Sequence, residues 1–222
     1  MIDLLPILVA SLQGAILLTL VVGVRRGNVA AAVNALVAFA VSVVPFVLYL
    51  TAGLVLAPTL SLWLAVAGLL HAVGMLGPYD SVPWWDTVTH FVSASFVAAL
   101  CYAGVLVAVA TGWLAAAATL LLTLALGLWW ELLELVAREL GEQFDVEPVL
   151  VHYGWRDTLA DLAVDVLGAV VVVAVDLRVF VPVAESVVGS IPRLLRWSGG
   201  TLGLSTVVLV LVLVGLRVRR AG

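Results

Sequence analysis

The chain is dominated by a series of apolar segments, each close to the length of a membrane-spanning helix. About 20 consecutive apolar residues cross the hydrocarbon core of a bilayer. Seven segments fit this description, and they run approximately from Leu4 to Val24, Val29 to Leu50, Leu54 to Leu76, Thr87 to Ala110, Trp113 to Leu135, Leu159 to Val175 and Leu202 to Leu216. The sequence therefore predicts an all-α protein, a polytopic bundle of about seven transmembrane helices in the cell membrane.

The composition excludes a soluble globule. Hydrophobic residues make up 64% of the 222 residues and charged residues only 11%, which leaves too little polar surface to cover one. Cys101 is the only cysteine, so a disulfide framework and a thiolate metal site are both excluded. Membrane lipids are the expected surroundings, and no nucleic-acid partner is expected. We predict a single integral membrane domain over residues 1–222.

The arginines predict how the chain is oriented. With the N-terminus outside, seven arginines are cytoplasmic and three are external, as the positive-inside rule requires. The cytoplasmic set is Arg25, Arg26, Arg138, Arg156, Arg217, Arg219 and Arg220, and the external set is Arg178, Arg193 and Arg196. The C-terminus is then cytoplasmic. The N-terminal segment lacks the basic region and cleavage site of a signal peptide, so it is expected to remain as a span.

Two further features fit this orientation. Five tryptophans fall at or near the cytoplasmic interface, where aromatic belts form, namely Trp84, Trp85, Trp129, Trp130 and Trp155. The stretch 179–200 is too polar to span. We predict that it lies along the outer interface as a short amphipathic piece.

Seven ionisable residues lie at or inside the ends of apolar segments. They are Asp86, His90, Glu131, Glu134, Asp157, Asp161 and Asp165. A charged group near the bilayer centre costs on the order of 2.5 to 3.5 kcal/mol, so such residues are usually buried against partners and usually functional. The predicted topology places all seven in the cytoplasmic half of the membrane. We expect His90, Glu131, Asp161 and Asp165 to lie in one cluster, because each would otherwise be desolvated without compensation.

The helix ends supply alternative explanations for some of these residues. Asp86 suits the first turn of a helix, and His90 shares its face four residues later. His90 is either a metal ligand or proton shuttle, or a buried structural histidine with a partner. Two acids near a helix C-terminus oppose the macrodipole. Glu134 can form a surface pair with Arg138, whereas Glu131 is deeper and has no such neighbour.

The three aspartates at positions 157, 161 and 165 form a stripe along one helix face. At 1.5 Å per residue it extends about 12 Å, so Asp165 reaches furthest into the membrane. Asp157 is also explained as a capping or first-turn acid. Carboxylates with one histidine suit Mg²⁺, Mn²⁺ or Zn²⁺ as the candidate cofactor. The predicted metal ligands are His90, Asp161, Asp86, Glu134 and Asp157, and the predicted catalytic residues are Glu131 and Asp165.

Four short motifs occur in an order that resembles a known family. They are His71-Ala72-Val73-Gly74, the segment from Trp85 to Phe91, the segment from Trp130 to Glu134, and the segment from Asp157 to Gly168. Together they resemble the YjdF-like inner-membrane proteins over roughly His71 to Ala169. The VanZ-like family is more distantly similar, with asparagine where this chain has Asp165. That second resemblance implies at most an envelope or lipid connection.

Three functions fit these observations. The first is a metal-dependent enzyme acting on a lipid or a lipid-linked phosphate, with Arg156 or Arg138 near the anionic substrate. The second is a carrier coupled to protons or cations, which uses the same carboxylates as a relay. The third is a membrane scaffold whose buried polar network fixes helix packing. We favour the enzyme, and the sequence leaves its substrate and its oligomeric state open.

Overall fold

A computed structural model describes residues 4–109, 111–187, 189 and 191–221, and in this part of the chain it contains helices and no strands. The helices are α1 (Leu4–Arg26), α2 (Val29–Ala52), α3 (Pro58–Gly74), α4 (Pro78–Ser81), α5 (Trp85–Ala108), α6 (Gly112–Phe144), α7 (Trp155–Ala174), α8 (Val181–Ser186) and α9 (Ile191–Ala221). The predicted all-α class is confirmed.

Five of these helices are long and apolar enough to cross a membrane. They are α1, α2, α5, α6 and the Gly199–Val218 part of α9. Helix α3 is apolar but has only 17 residues, and α7 has 20 residues and carries the acidic stripe. The chain is thus a multi-pass membrane protein, and the count of seven spans stays a prediction.

Prolines account for two differences between predicted and observed boundaries. The third apolar segment was predicted to begin at Leu54, but α3 begins at Pro58. Proline is favoured in the first helical turn and disfavours helical geometry in the residue before it. The last helix was predicted to begin at Leu202, yet it begins at Ile191 with Pro192 in its first turn. The predicted interfacial stretch therefore contains α8 and the start of α9. Ala110, the predicted end of the fourth span, lies outside the described residues.

The first of two compact units, Met1–Phe96, is built on close packing of α1, α2 and α3. Its core consists largely of alanines around Ile16, including Ala35, Ala38 and Ala65. Gly68 of α3 lies directly against Ala38 of α2, where an added Cβ would be 2.8 Å from the alanine Cβ. Small residues let helices approach closely in a lipid environment, where hydrophobic burial gives little driving force for association.

In the second unit, Val97–Gly222, α6 packs against both α7 and α9. The Trp129 indole donates to the Ser205 hydroxyl at 3.0 Å, and Arg217 Nε donates to Glu139 Oε1 at 3.4 Å. Arg217, one of the arginines predicted to be cytoplasmic, thus contacts α6. The side chains of Arg219 and Arg220 lie outside the described residues. The boundary between the units falls inside α5.

Helix α6 is longer than the hydrocarbon core is thick. Its 33 residues extend about 50 Å, against about 30 Å for the core. The helix is apolar from Gly112 to Trp130, and ionisable residues begin at Glu131. Helix α6 is therefore too long to lie within the hydrocarbon core along the bilayer normal, and Glu131 is the first ionisable residue along it.

The orientation of the chain is testable with two conservative cysteine probes. Ser81 and Ser186 are both exposed, each on a short helix between longer ones. In a Cys101→Ala background, a membrane-impermeant thiol reagent is expected to label Ser186→Cys from outside intact cells. It should label Ser81→Cys only after permeabilisation. The reverse pattern would overturn the orientation with the N-terminus outside.

Candidate functional site

In the first unit, Asp86 and His90 form one polar pair at the start of α5. Asp86 lies in the first turn, where an acid stabilises the helix dipole, and His90 follows one turn later. His90 Nε2 is 3.9 Å from Asp86 Oδ1, and the histidine is buried while the aspartate is partly exposed. The predicted shared helix face is confirmed.

His71 and Tyr79 form a second polar pair in the same unit, which the sequence analysis did not identify as part of a site. The Tyr79 hydroxyl and His71 Nδ1 are 2.9 Å apart, and His71 is close enough to His90 for the two rings to interact electrostatically. The ring of Tyr79 occupies the space beside Gly74, where an added Cβ would collide with it. The motif that begins at His71 was the only sequence signal for this pair. Its partner, Tyr79, lies on the short helix α4, whose four residues give no periodic pattern.

In the second unit, Glu131 and Glu134 are buried on one face of α6. The two carboxylates bring oxygens within 4.8 Å of each other. The Trp130 indole donates to Glu134 Oε1 at 2.7 Å and holds that carboxylate in place. The predicted surface pair between Glu134 and Arg138 is wrong, because Arg138 Nε donates to Glu142 at 2.8 Å instead. Glu134 faces the protein interior, whereas Glu142 lies on the exposed face beside the arginine.

Helix α7 brings two more buried carboxylates to this face of α6. Gly127 of α6 lies against Leu162 and Asp165 of α7, and a Cβ added there would overlap the Asp165 carboxylate. The two helices follow one another and pack antiparallel, so moving one turn along α6 corresponds to moving one turn back along α7. Glu131 is therefore level with Asp161. Glu131, Glu134, Asp161 and Asp165 are each at most 7% exposed.

Asp157, the outermost aspartate of the stripe, has a local structural role. Its Oδ2 accepts a hydrogen bond from the Tyr153 backbone N–H at 3.3 Å, while Gly154 occupies the N-cap position. The prediction that Asp157 is a first-turn acid is confirmed. Its carboxylate satisfies a backbone N–H of the residues that precede the helix. Burial increases from Asp157 to Asp161 and Asp165, so the two inner aspartates are the ones placed among the carboxylates.

Three tryptophans predicted as interface anchors make internal hydrogen bonds instead of serving only as a belt. Trp85 donates to the Leu70 carbonyl at 3.2 Å, and Trp129 and Trp130 donate to Ser205 and Glu134. A buried indole N–H requires a partner. The bonds of Trp85 and Trp129 join α5 to α3 and α6 to α9, whereas the bond of Trp130 lies within α6. Trp84 and Trp155 are exposed, as belt residues would be.

A separate polar group lies at the far end of α7. Asp176 has a left-handed backbone with φ 52°, and it accepts hydrogen bonds from Arg178 Nε at 2.9 Å and the Tyr102 hydroxyl at 2.7 Å. The hydrogen bonds from Arg178 and Tyr102 hold the pKa of Asp176 below its usual range. This group connects the second half of α5 to the turn after α7.

Comparison with known proteins gives one family match. A family model described as a predicted membrane protein, DUF2238, matches residues 7–181. That range includes all seven predicted site residues and the four motifs. Neither the curated proteins nor the solved structures contain a match.

Proposed function

The chain belongs to the DUF2238 family of predicted membrane proteins, and we propose that it holds a divalent metal on buried carboxylates. The YjdF-like proteins are this same family, so the first resemblance is confirmed, while the VanZ-like one stays a prediction. In the proposed site Glu131, Glu134 and Asp161 are ligands. Asp86 and His90, which belong to the other compact unit, stay predicted ligands.

The observation that carries the proposal is the burial of Glu131 and Glu134 with their oxygens within 4.8 Å. Two like charges at that separation in a low-dielectric site repel each other strongly, so a fully ionised pair requires compensating positive charge. Asp161, level with Glu131, adds a third acid. A divalent cation supplies the missing charge, and carboxylate oxygens are the donors that Mg²⁺ and Mn²⁺ prefer.

The surrounding residues are suited to hold such ligands in fixed positions. The Trp130 indole fixes one oxygen of Glu134, and Gly127 leaves the space that Asp165 occupies. Asp86 lies beside His90 Nε2 and favours an oriented imidazole.

The depth of these carboxylates supports a lipid or lipid-linked phosphate as the substrate of a metal-dependent reaction. Glu131 lies about 30 Å along α6 from Gly112, so a span that begins at Gly112 would bring Glu131 to the opposite edge of the hydrocarbon core, next to the headgroups. A bound divalent metal would activate water or neutralise a phosphate oxygen. Glu131 would bind the metal through one carboxylate oxygen and serve as the general base through the other, and Asp165 is the proposed second catalytic carboxylate.

Elemental analysis of purified protein tests the proposal. Protein prepared without chelators is expected to contain near-stoichiometric Mg, Mn or Zn. Glu131→Gln and Asp161→Asn should each reduce that content at least tenfold, because each removes a negatively charged ligand. Glu185→Gln, which neutralises an exposed acid on α8, is the matched control and should retain the metal.

The outcomes separate the three functions. Wild-type protein without metal, or full metal content in both ligand variants, would contradict the metal proposal. His90→Ala shows whether the histidine belongs to the set, because loss of metal in that variant requires it. A metal-free protein whose proton or cation flux is abolished by the same substitutions would favour a carrier. Substitutions that alter stability alone would favour a scaffold.

A further inference from the structure

A cavity of about 470 Å³ opens in the second unit, between the C-terminal end of α6 and the segment that leads to α7. Its polar lining consists of Arg138, Glu142, Asp145, Glu147, His152 and Tyr153. The connecting segment folds closely onto α6 at Gly141, where an added Cβ would be 2.9 Å from the Val146 carbonyl oxygen. The backbone of the connecting segment can approach α6 this closely because position 141 has no side chain, and it forms one wall of the cavity.

The lining combines charges of both signs. Arg138 supplies one positive charge, and its Nε donates to Glu142 at 2.8 Å. Asp145 and Glu147 are exposed acids on the cavity rim that carry two more negative charges. The three acids outnumber the one arginine, so a simple anion is disfavoured and a ligand must bring a positive charge. A ligand that carries both signs can place its cationic group on the two rim acids and its anionic group at Arg138.

His152 adds a neutral hydrogen-bonding group to the cavity. Burial and then the nearby charge of Arg138 lower the pKa of His152, while Asp157 raises it. The ring is therefore neutral at physiological pH. Its Nδ1 is buried and has no hydrogen-bond partner within the described part of the chain. Buried polar atoms usually have partners, so this nitrogen indicates a position where a ligand atom binds.

The cavity also lies at a suitable depth for a lipid headgroup. Arg138 is one turn beyond Glu134, about 6 Å further along the helix axis, outside the apolar part of α6. We propose that the cavity binds a zwitterionic phosphate–ammonium group of the phosphoethanolamine type. The phosphate is directed to Arg138 and His152, and the ammonium to Asp145 and Glu147. Arginine and phosphate form strong charge-assisted hydrogen bonds, and a primary ammonium offers three donors to carboxylates.

This site is distinct from the proposed metal site, because no residue of its lining belongs to the proposed metal ligands. Its test is binding rather than turnover. Purified protein in detergent is titrated with short-chain phosphatidylethanolamine, with the matching phosphatidylglycerol, and with free phosphoethanolamine, and binding is followed by calorimetry. Saturable binding with at least tenfold preference for the ethanolamine lipid over the glycerol lipid is expected. Competition by free phosphoethanolamine would identify the soluble compound as a ligand, and lipid binding without competition would identify the membrane lipid.

Three variants locate the binding site. Arg138→Gln should weaken ethanolamine-lipid binding at least tenfold, and Glu147→Gln should reduce the preference over the glycerol lipid. Arg26→Gln is the control, because Arg26 is an exposed arginine at the end of α1 that does not line the cavity, and it should change binding less than twofold. The proposal is overturned if neither ethanolamine compound binds, if both lipids bind equally, or if Arg138→Gln behaves like Arg26→Gln. Melting curves of all three variants should match that of the wild type, which keeps a folding defect separate from a binding defect.

Discussion

Removal of the proposed metal by a chelator is expected to lower the free energy of unfolding by about 4 kcal/mol, for protein held at a free metal concentration 1,000 times its dissociation constant. A ligand that binds only the folded state stabilises it by mass action. Without the metal, Glu131 and Glu134 must also take up protons or repel each other. The measurement is denaturant unfolding in detergent micelles with and without chelator, followed by restoration with Mg²⁺, Mn²⁺ or Zn²⁺ in separate samples.

The control is the doubly neutralised protein, Glu131→Gln with Asp161→Asn. Its unfolding should not respond to chelator or to added metal. In chelator it should be at least as stable as the wild type, because the amides keep the shape of the carboxylates and remove the repulsion. A wild-type protein whose unfolding curve is the same with and without chelator would contradict the prediction.

Gly127→Ala is expected to destabilise the protein by about 1–3 kcal/mol, even though alanine is the better helix former by about 1 kcal/mol. The new methyl group would overlap the Asp165 carboxylate, so α6 and α7 must separate or the carboxylate must move. The metal content of purified Gly127→Ala protein should fall as well. Gly203→Ala is the matched control, because Gly203 is a helical glycine of α9 with open space around it, and its replacement should leave stability equal or higher.

A double-mutant cycle assigns that loss to the predicted contact. Asp165→Ala removes the group that the new methyl would meet. Adding Gly127→Ala to Asp165→Ala should therefore destabilise much less than adding it to the wild type. Equal losses in the two backgrounds would show that the Gly127 effect arises elsewhere, for example at Leu162.

Hydropathy and helical periodicity predicted the parts of this protein that depend on local sequence. The apolar segments became helices because their length and composition leave few alternatives, and α1 and α2 begin at the predicted residues. The pairing of Asp86 with His90 followed from a spacing of four residues. The partner of Arg138 did not follow from spacing, because Glu134 and Glu142 are each four residues away from it. The two acids differ only in burial, since Glu134 is buried and Glu142 is exposed.

The contacts that depend on tertiary packing were not predictable. The position of Gly127 beside Asp165 depends on the register of α6 against α7, which is fixed by packing and by the connecting segment. The contact between His71 and Tyr79 depends on α4, a helix of four residues with no periodic signal. The cavity near His152 lies in a segment without regular structure, where sequence patterns carry little information about backbone path.

For α7 to cross the bilayer, Asp161 and Asp165 must enter it with the helix, and a charged group near the bilayer centre costs about 2.5–3.5 kcal/mol. During synthesis α6 leaves the ribosome before α7, and its buried carboxylate face and Gly127 are then already available as a polar docking surface. We therefore expect the hairpin of α6 and α7 to insert as a unit, and α7 synthesised without α6 to remain on the aqueous side of the translocon.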